Sequence, residues 1–582
     1  MKASTVIRRA GAEVTSRRHE IAVYEAPSDS MMGGGMEGAE RTSRETINWE
    51  PAMGSPDQII NRVKAAADAR GRDMTSNDGH ARGAVAVHQD SIVGAQYSLN
   101  CTPNLVILKG GGGRRGPKFD DVWETEFSEV VEERFNLTAE SEDCWLDAGG
   151  RNTFTGLVRM AVGGYVWTGE IASLPLWLRS AGRPCKTAVK MVTPSRISNP
   201  FDQPDTANMR RGVNQDANGR PMSYFIRNTW PGDYYLGLEQ QNWTEVPAFK
   251  PWGRRQFIHI MEQREDGQSR GVADMLSALK KMRMTKHLSE ITLQNAIVSA
   301  SYAAAIESEL PPEAIVQMMG GNQQGPKGYM DAIGAYMHGL QAYISQAGNI
   351  SVDGVKIPHL FPGTKLVAQS LGQPGGVPPA FEQSLQRHIA AALGIGYEEF
   401  SRDFSRVSYS SARASMVVTG RFMRARKKMV ADRFANQTFQ LWFEEEMNAG
   451  NFPLPSGVTP DYFYKPLMKE AFTQCEWTGS GTGQIDELKE TQAAILRIAS
   501  GLSTYRKECA RFGEDYRKVF RQKGKEKLLQ ESLSLEFSTD ATQTATGAST
   551  QKTLSDQSGS NNNNSDAEAD AYQDAEFEDI RV

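Results

Sequence analysis

The sequence has few cysteines, no long apolar run and no excess of positive charge. Its five cysteines are odd in number and widely spaced, which excludes a disulfide framework and favours a reducing compartment. No uncharged apolar stretch approaches the roughly 18 residues that span a membrane, so neither a transmembrane helix nor a membrane partner is expected. The basic N-terminus, with Arg8 and Arg9, lacks a following apolar segment, so no secretory signal is expected. The net charge of −5 excludes a protein that packages nucleic acid by bulk positive charge.

Motifs for catalysis, nucleotides and metals are also lacking. The glycine-rich stretch 109–118 resembles a phosphate loop, but Gly116 is followed by Pro117 instead of the Lys and Ser or Thr that contact phosphate and magnesium. None of the eight histidines is paired at metal-binding spacing, and position 12 of the calcium-loop-like stretch from Asn214 is Phe225 instead of Glu. The sequence therefore predicts no enzyme, no cofactor and no metal site.

The two ends of the chain differ in composition from the rest. The 582 residues are 39% apolar, which suits several folded domains. Residues 1–50 show no sustained hydrophobic period and are predicted to be a flexible N-terminal arm. Residues 531–582 are rich in Ser, Thr, Gln and Asn, and from Thr553 onward they contain eight acidic residues and one basic residue. This segment is predicted to be a disordered acidic tail, which leaves the remaining chain close to neutral.

Helical patterns dominate between the two ends. The stretch 272–310 contains neither Gly nor Pro, and a helix of that length, roughly 58 Å, is typical of a strut or an assembly surface. A first helix is predicted from Pro56, with Ser55 as its N-cap and with Ile59, Ile60 and Val63 on one face. Further helices are predicted over Trp123–Phe135, Phe154–Tyr165, Phe381–Leu393 closing at Gly394, Ser411–Met447 interrupted only by Gly420, and Tyr505–Leu529.

Strand signals are shorter. Leu105–Leu108 is predicted to be a strand, and Asn218-Gly219 between two apolar runs predicts a hairpin. A second strand pair is predicted to turn at Asp353-Gly354. The type of the apolar stretch Ala84–Val93 stays open.

Two groups of basic residues are candidates for ligand contact. The run from Arg421 to Arg433 lies on a predicted helix, where a solvated or intersubunit salt-bridged face is favoured over a nucleic-acid face because acidic residues follow it. Arg402 and Arg406 lie instead on the polar connection 397–410 between two helices. A side chain on such a connection can reach a ligand without disturbing packing.

The order of these elements, together with several local motifs, resembles the lambda-like family of tailed-phage portal proteins. The resemblance covers about residues 50–525 and lies in seven motifs that occur in the same order: Ala86–Gly94, Pro194–Pro200, Glu265–Gly271, Ala305–Leu310, Phe381–Leu385, Tyr409–Ser415 and Leu502–Tyr505. It implies an α+β portal fold with a mixed wing domain, long stem helices, a small α/β clip insertion and a mostly helical crown. The implied segments are a wing at 51–270, a first stem helix at 271–302, a clip at 303–378, a second stem helix at 379–395, a tunnel loop at 396–411, and a long helix with crown at 412–530.

The resemblance also implies a function and partners. A ring of twelve subunits would sit at one capsid vertex in the virion, after assembly in the host cytoplasm, as the conduit for double-stranded DNA. The tunnel loop would contact that DNA through Arg402, Ser405, Arg406 and Tyr409. Around Asp353, Gly354 and Lys356, the clip would dock the large terminase subunit or head–tail connector proteins, with major capsid and scaffold proteins as further partners. The alternative is a capsid-shell or head–tail adaptor protein without a DNA channel.

Overall fold

A computed structural model describes residues 48–535, apart from 50, 52, 111–118, 231–232, 234–241, 353–354, 358–378, 406, 482–486 and, except for four helical positions, 302–349. The chain divides after Ser55 into two units, and the fold described below is that of the second, which begins at Pro56. Its elements are a mixture of helices and small sheets, so the α+β class is confirmed.

Helices make up most of the described chain. The α-helices run over Pro56–Asn77, Gly79–Ile92, Leu105–Gly110, Asp121–Ala139, Phe154–Thr168, Leu276–Ser301, Pro379–Leu393, Tyr397–Ser401, Tyr409–Arg426, Asp432–Asn448, Met468–Phe472, Glu487–Ala499, Tyr505–Arg511 and Tyr516–Ser532. The stretch Ala84–Val93, whose type the sequence left open, thus lies largely in a helix.

The strands are short, and all described pairings between them are antiparallel. In chain order they are β1 (Ser98–Cys101), β2 (Glu170–Trp177), β3 (Thr187–Val192), β4 (Met209–Arg210), β5 (Val213–Gln215), β6 (Pro221–Arg227), β7 (Trp243–Pro247), β8 (Ile258–Met261), β9 (Ile350–Val352), β10 (Val355–Ile357) and β11 (Cys475–Thr478). They form sheets of order β3-β2-β8, β4-β5-β6-β7, β1-β11 and β9-β10.

The main core joins the N-terminal half of the body to its C-terminal half. Helix Asp432–Asn448 buries Phe439, Trp442 and Phe443 against Phe127 and Phe135 of helix Asp121–Ala139. The rings meet mostly edge to face, an arrangement that adds to the stabilisation from burial. A smaller core fills the space between the two larger sheets. Residues more than 300 positions apart therefore fold as one body.

The predicted hairpin at Asn218-Gly219 is confirmed. Strands β5 and β6 pair on either side of it. The Asp216 carboxylate accepts hydrogen bonds from the amides of Asn218 and Arg220, each at 2.8 Å, and Gly219 has a φ of 80° that favours glycine. The Asp216 carboxylate therefore stabilises the turn, in agreement with the sequence-based rejection of a calcium loop in which Phe225 stands at the position of the required Glu.

Three sequence predictions of secondary structure are wrong. Leu105–Leu108 forms a short helix, Leu105–Gly110, and not a strand, because Asn104 begins it by accepting the amide of Ile107. The predicted helix Tyr505–Leu529 is two helices. Gly513, with a φ of 79°, follows the end of the first helix, and Asp515 caps the start of the second. The predicted break at Gly420 does not occur. Helix Tyr409–Arg426 instead continues through one π-helical turn, Lys427–Ala431, into Asp432–Asn448.

The first helix begins at Pro56 as predicted but turns a polar face inward. Ile59 and Val63 are at least half exposed, whereas Asp57, Lys64 and Asp68 are buried. The buried face is charged because its partners are charged groups from the strands and from the segment before Leu276.

Candidate functional site

The connection between the two helices Pro379–Leu393 and Tyr409–Arg426 is partly helical. Gly394, with a φ of 70°, ends the first helix, and its tight approach to the ring of Phe422 leaves no room for a side chain. The short helix Tyr397–Ser401 follows, and the chain then runs in irregular form until Ser408 caps the next helix by accepting the amide of Ser411. The segment predicted as a loop is therefore helical at both ends, and its described residues between Ser401 and Tyr409 form an irregular, mostly exposed stretch.

The base of this connection is anchored in the body. Phe400 is buried and stacks on His80 with the ring centroids 5.2 Å apart. The Ser415 hydroxyl donates a hydrogen bond to the Glu398 carboxylate at 3.2 Å. The neighbouring Glu399 is partly buried, and this burial raises the pKa of its carboxyl. The short helix thus holds the exposed stretch at a fixed place on the body.

Three of the four predicted channel residues lie on the exposed side of the connection. Arg402 is exposed and adopts a left-handed conformation with a φ of 59°. Ser405 is exposed, and its amide and hydroxyl both donate to Asp403, at 3.0 and 2.6 Å. Tyr409 is half-exposed at the start of the following helix, where Arg413 donates to its hydroxyl at 3.3 Å. Arg406 lies outside the described residues. Phe404, which the sequence analysis did not single out, is also exposed on this stretch.

The predicted clip residues are described only in part. Strands β9 and β10 pair as predicted, with Val352 opposite Val355 and Lys356 opposite Ser351. Asp353 and Gly354, the predicted turn, lie outside the described residues. The strand pairing is thus confirmed.

The basic run on the long helix is divided between two environments. Arg426 is buried and donates to Glu262 at 2.6 Å and to Asp274 at 2.8 Å. Lys427 donates to Asp432 at 2.9 Å. These two residues form ion pairs within the chain, so the expectation of a solvated or intersubunit face is wrong for them. Arg421, Arg424, Lys428 and Arg433 are exposed.

A buried cluster of charges lies where the sheet meets the segment that enters helix Leu276–Ser301. Glu170, at the start of β2, is fully buried, accepts hydrogen bonds from Arg270 at 2.8 Å and from His259 at 2.7 Å, and forms an ion pair with Lys64 at 3.0 Å. Lys64 also pairs with Asp68 at 2.8 Å. The cluster therefore ties the first helix, β2, β8 and the residues before the long helix to one carboxylate.

The remaining contacts of Arg270 complete its hydrogen bonding. Its guanidinium donates to the backbone carbonyls of Ile197, Arg211 and Pro194 at 2.8–2.9 Å. A buried arginine with both a carboxylate and several carbonyls is well satisfied. Arg270 lies inside the motif Glu265–Gly271, but nothing in that motif indicates its distant partners.

The two acids of the cluster differ in proton affinity. Burial alone would raise the pKa of Glu170, but Arg270 and Lys64 outweigh it and hold the pKa well below its ordinary value. For Asp68 burial wins, and it raises the pKa to about 6 against the opposing charge of Lys64. The second oxygen of Asp68 is buried and has no hydrogen-bond partner within the described structure.

Two glycines allow the backbone to cross beside this cluster. A Cβ on Gly169 would lie 2.2 Å from the carbonyl carbon of Val272, and one on Gly271 would lie 2.2 Å from the oxygen of Gly169. Such distances are far inside van der Waals contact, so only glycine fits at either position. Together with the ion pairs, this crossing sets where helix Leu276–Ser301 leaves the body.

The described part of the chain offers no group of side chains suited to binding a metal ion. Its His, Cys, Asp and Glu side chains form no group of three that could hold a metal ion. Among its helices, none has the length and apolar character needed to cross a membrane.

Comparisons with known proteins agree on one family. The family model described as phage portal protein, lambda family, matches residues 42–427. The chain is 37% identical over 503 residues to the portal protein of Escherichia phage N15, covering 86% of this chain and 90% of that protein. It is 36% identical over 489 residues to portal protein B of Escherichia phage lambda, covering 84% and 88%.

A solved chain from the neck of an empty gene transfer agent particle is 12% identical, with a TM-score of 0.35, over 80% of this chain and 96% of that one. The family match and the two phage relatives favour a structural portal protein over a capsid-shell or adaptor protein. The chain belongs to the lambda family of phage portal proteins.

Proposed function

We propose that about twelve copies of this chain close into a ring at one vertex of the capsid, and that double-stranded DNA passes through its centre during packaging and ejection. The observation that carries the proposal of a ring is the apolar surface that one subunit leaves uncovered on its helices. Leu293, Val418 and Leu496, on three different helices, are each between 63% and 69% exposed. Exposed apolar side chains on several helices are available for contact with a neighbouring subunit.

Two of these helices expose further apolar side chains. Helix Leu276–Ser301 exposes Met284 and Ile291, and helix Tyr409–Arg426 exposes Met416 and Val417. A head-to-tail ring requires two different, complementary surfaces on every subunit. Exposed apolar side chains on two separate helices would supply them.

Electron microscopy of the purified full-length protein tests the ring. Class averages are expected to show annular particles of about twelve subunits. A Val418→Asp change places a charge on the exposed flank and is expected to lower the ring fraction in mass photometry while the far-UV circular dichroism stays unchanged. A wild-type protein that stays monomeric, or that forms closed shells, would contradict the proposal.

The exposed stretch after Ser401 is proposed to be the tunnel loop that contacts DNA, through Arg402, Ser405, Arg406 and Tyr409. Two arginines on each of twelve loops would bring 24 positive charges to the bore. Twelve subunits at −5 would carry −60 in total, so the ring as a whole repels a polyanion. Contact with phosphates then falls to local cations, and a few such contacts centre or slow a duplex without holding it.

Removing these charges tests the tunnel loop. The double change Arg402→Ser and Arg406→Ser is expected to impair DNA packaging or retention in phage complementation, with rings still formed. The matched control is Arg151→Ser with Arg179→Ser, which removes the same charge from exposed positions elsewhere on the body. If both double variants package and retain DNA as well as wild type, the loop has no such role.

The segment 303–378 is proposed to be the clip that docks the large terminase subunit, with its β9–β10 hairpin at the contact. The antiparallel pair β9–β10, which contains Lys356, supports this role because a hairpin presents its turn as a protruding tip. Deleting Asp353 and Gly354 or reversing the charge with Lys356→Glu is expected to weaken terminase capture by purified rings. Unchanged ring assembly together with unchanged capture would overturn the assignment.

The remaining segments complete the proposed architecture. Residues 51–270 would form the wing, 271–302 and 379–395 the two stem helices, and 412–530 the long helix and crown. We place the ring in the virion after assembly in the host cytoplasm, with head–tail connector, major capsid and scaffold proteins as neighbours. Cross-linking of assembled particles followed by peptide mapping would test these contacts.

A further inference from the structure

Two cysteines face each other across the short sheet that joins the N-terminal and C-terminal parts of the body. In the antiparallel pair of β1 and β11, Cys101 lies directly opposite Cys475. The neighbouring pair is hydrogen-bonded, because the Thr102 amide donates to the Gln474 carbonyl at 2.9 Å. Since the two kinds of pair alternate along an antiparallel ladder, Cys101 and Cys475 occupy a non-hydrogen-bonded position.

A second contact supports this register. The amide of Cys101 donates to the Glu132 carboxylate at 2.8 Å and thus points away from β11. At a non-hydrogen-bonded position the two Cα atoms are roughly 4.5 Å apart and the side chains project from the same face. Disulfides join cysteines whose Cα atoms are about 4.4–6.8 Å apart. The backbone therefore needs little movement to accept a disulfide here.

The surroundings tolerate the loss of the thiol protons. The Cys475 thiol donates to the Asn436 side-chain oxygen at 3.1 Å, and the Trp477 indole donates to the same oxygen at 2.7 Å. When Cys475 gives up its proton, the oxygen keeps the stronger of its two donors. The other three cysteines lie outside the described strands. Among the described strand pairs, only β1 and β11 therefore place two cysteines opposite each other.

We propose that Cys101 and Cys475 form an intrachain disulfide when the protein meets an oxidising disulfide such as oxidised glutathione. The Cys475 thiolate attacks the oxidant and releases one molecule of thiol, leaving a mixed disulfide. The Cys101 thiolate then attacks the Cys475 sulfur and releases the second. Two protein thiols lose two protons and two electrons, and the oxidant gains both.

The bond would close a loop of about 370 residues and fasten β11 to the body. Just after β11 the backbone packs closely against the body, since a Cβ on Gly479 would lie 2.4 Å from the backbone oxygen of Ile92. A covalent link at this place keeps the following helices from separating when β11 frays. Its chemistry does not depend on ring formation. If the protein is exported in a phage particle, it leaves a reducing compartment for an oxidising one, where such bonds persist.

The reaction is expected to be slow in the fully closed protein. Burial raises the pKa of Cys475 to about 12 and that of Cys101 well above its ordinary value. The thiolate is the attacking form, so exchange proceeds mainly when the strand pair opens locally. Urea below the unfolding transition raises the frequency of such opening and makes the test decisive.

The test uses the full-length protein, incubated with oxidised glutathione in sub-denaturing urea and then returned to buffer. We expect the thiol count to fall from five to three and a linked peptide joining Cys101 to Cys475 to appear in mass spectrometry. The oxidised protein should melt several degrees higher than the reduced protein. Cys101→Ser and Cys475→Ser should each abolish the linked peptide and the shift in melting temperature.

The matched control is Cys185→Ser, which removes a buried thiol outside the described strands and should leave the link unchanged. Five reactive thiols after oxidation, or a linked peptide that joins a different pair, would overturn the proposal. Because the readout is covalent and intrachain, it stands or falls separately from the tests of ring assembly and of DNA contact.

Discussion

Replacing Glu170 by Gln is expected to destabilise the body strongly. The change keeps the shape of the side chain but removes the negative charge that Arg270, Lys64 and His259 share. Glu170 and Arg270 are no more than 1% exposed, so water does not take over the missing charge. Removing one partner of a buried ion pair costs about 3–5 kcal/mol.

The expected change in melting temperature follows from the size of the body. Pro56–Leu535 comprises about 480 residues, and an unfolding entropy of ~2.1 cal/mol/K per residue gives about 1 kcal/mol/K. A loss of about 3–5 kcal/mol then lowers the melting temperature by about 3–5 °C. Differential scanning calorimetry on wild type and variant at equal subunit concentration measures it.

The matched control is Glu476→Gln, which removes a carboxylate from an ion pair of the same length on the surface. Glu476 binds Arg506 at 2.8 Å, but its side chain is 73% exposed. Surface pairs contribute about 0–1 kcal/mol, so the melting temperature should change by about 1 °C or less. If Glu170→Gln melts within a degree of the control, the buried cluster does not hold the first helix and the strands together, and the reasoning is refuted.

Three further predictions concern protonation and close packing. Burial raises the pKa of Asp68 to about 6, so the folded protein loses stability as the pH rises from about 4 to 6 and Asp68 ionises. The Asp68→Asn protein should therefore melt up to about 3 °C above wild type at pH 8 and at the same temperature as wild type at pH 4. Burial lowers the pKa of His88 to about 4, so stability falls as pH drops from 6.5 towards 4; His88→Gln should flatten this part of the melting profile. Gly169→Ala should prevent soluble folding, because its Cβ would meet the Val272 backbone. Gly164→Ala, inside the helix that Gly169 ends, should express and melt as wild type, since nothing lies within 4 Å of the added carbon. A soluble Gly169→Ala protein with an unchanged melting temperature would contradict the packing argument. Asp68→Asn or His88→Gln proteins whose melting temperature depends on pH as in wild type would contradict the protonation argument.

Features set by neighbouring residues could be predicted from the sequence. The start of the first helix at Pro56 and the end of helix Pro379–Leu393 at Gly394 follow from the backbone preferences of proline and glycine. The hairpin at Asn218-Gly219 is equally local. Such signals act over two to four residues and do not depend on what the segment later packs against.

Features that depend on distant residues could not be predicted from the sequence. Leu105–Leu108 is apolar enough for a strand, and whether it becomes strand or helix depends on Asn104 and on the space beside it. Ile59 and Val63 formed an obvious apolar face, yet the helix buries its charged face because Glu170 and Arg270 supply the opposite charges. Hydrophobic periodicity contains no information about a charged partner more than 100 residues away.

The candidate site divides in the same way. The exposed connection with Arg402 and Tyr409 was recognisable, since polar residues between two helices indicate exposure. Arg426 was grouped with its exposed neighbours because its partners Glu262 and Asp274 lie some 150 residues earlier. The pairing of Cys101 with Cys475 required the register of two strands from opposite ends of the chain.

The buried carboxylate of Glu170 also constrains the order in which the nascent chain becomes stable. Lys64 and Glu170 leave the ribosome well before His259 and Arg270, which complete the set of partners. At about 5–20 residues per second, the roughly 200 residues from Lys64 to Arg270 take about 10–40 s to synthesise. During that interval the first helix cannot pack against a Glu170 carboxylate that has all its partners. The N-terminal part of the body therefore stays accessible to chaperones and to other copies of the chain until Arg270 has been synthesised.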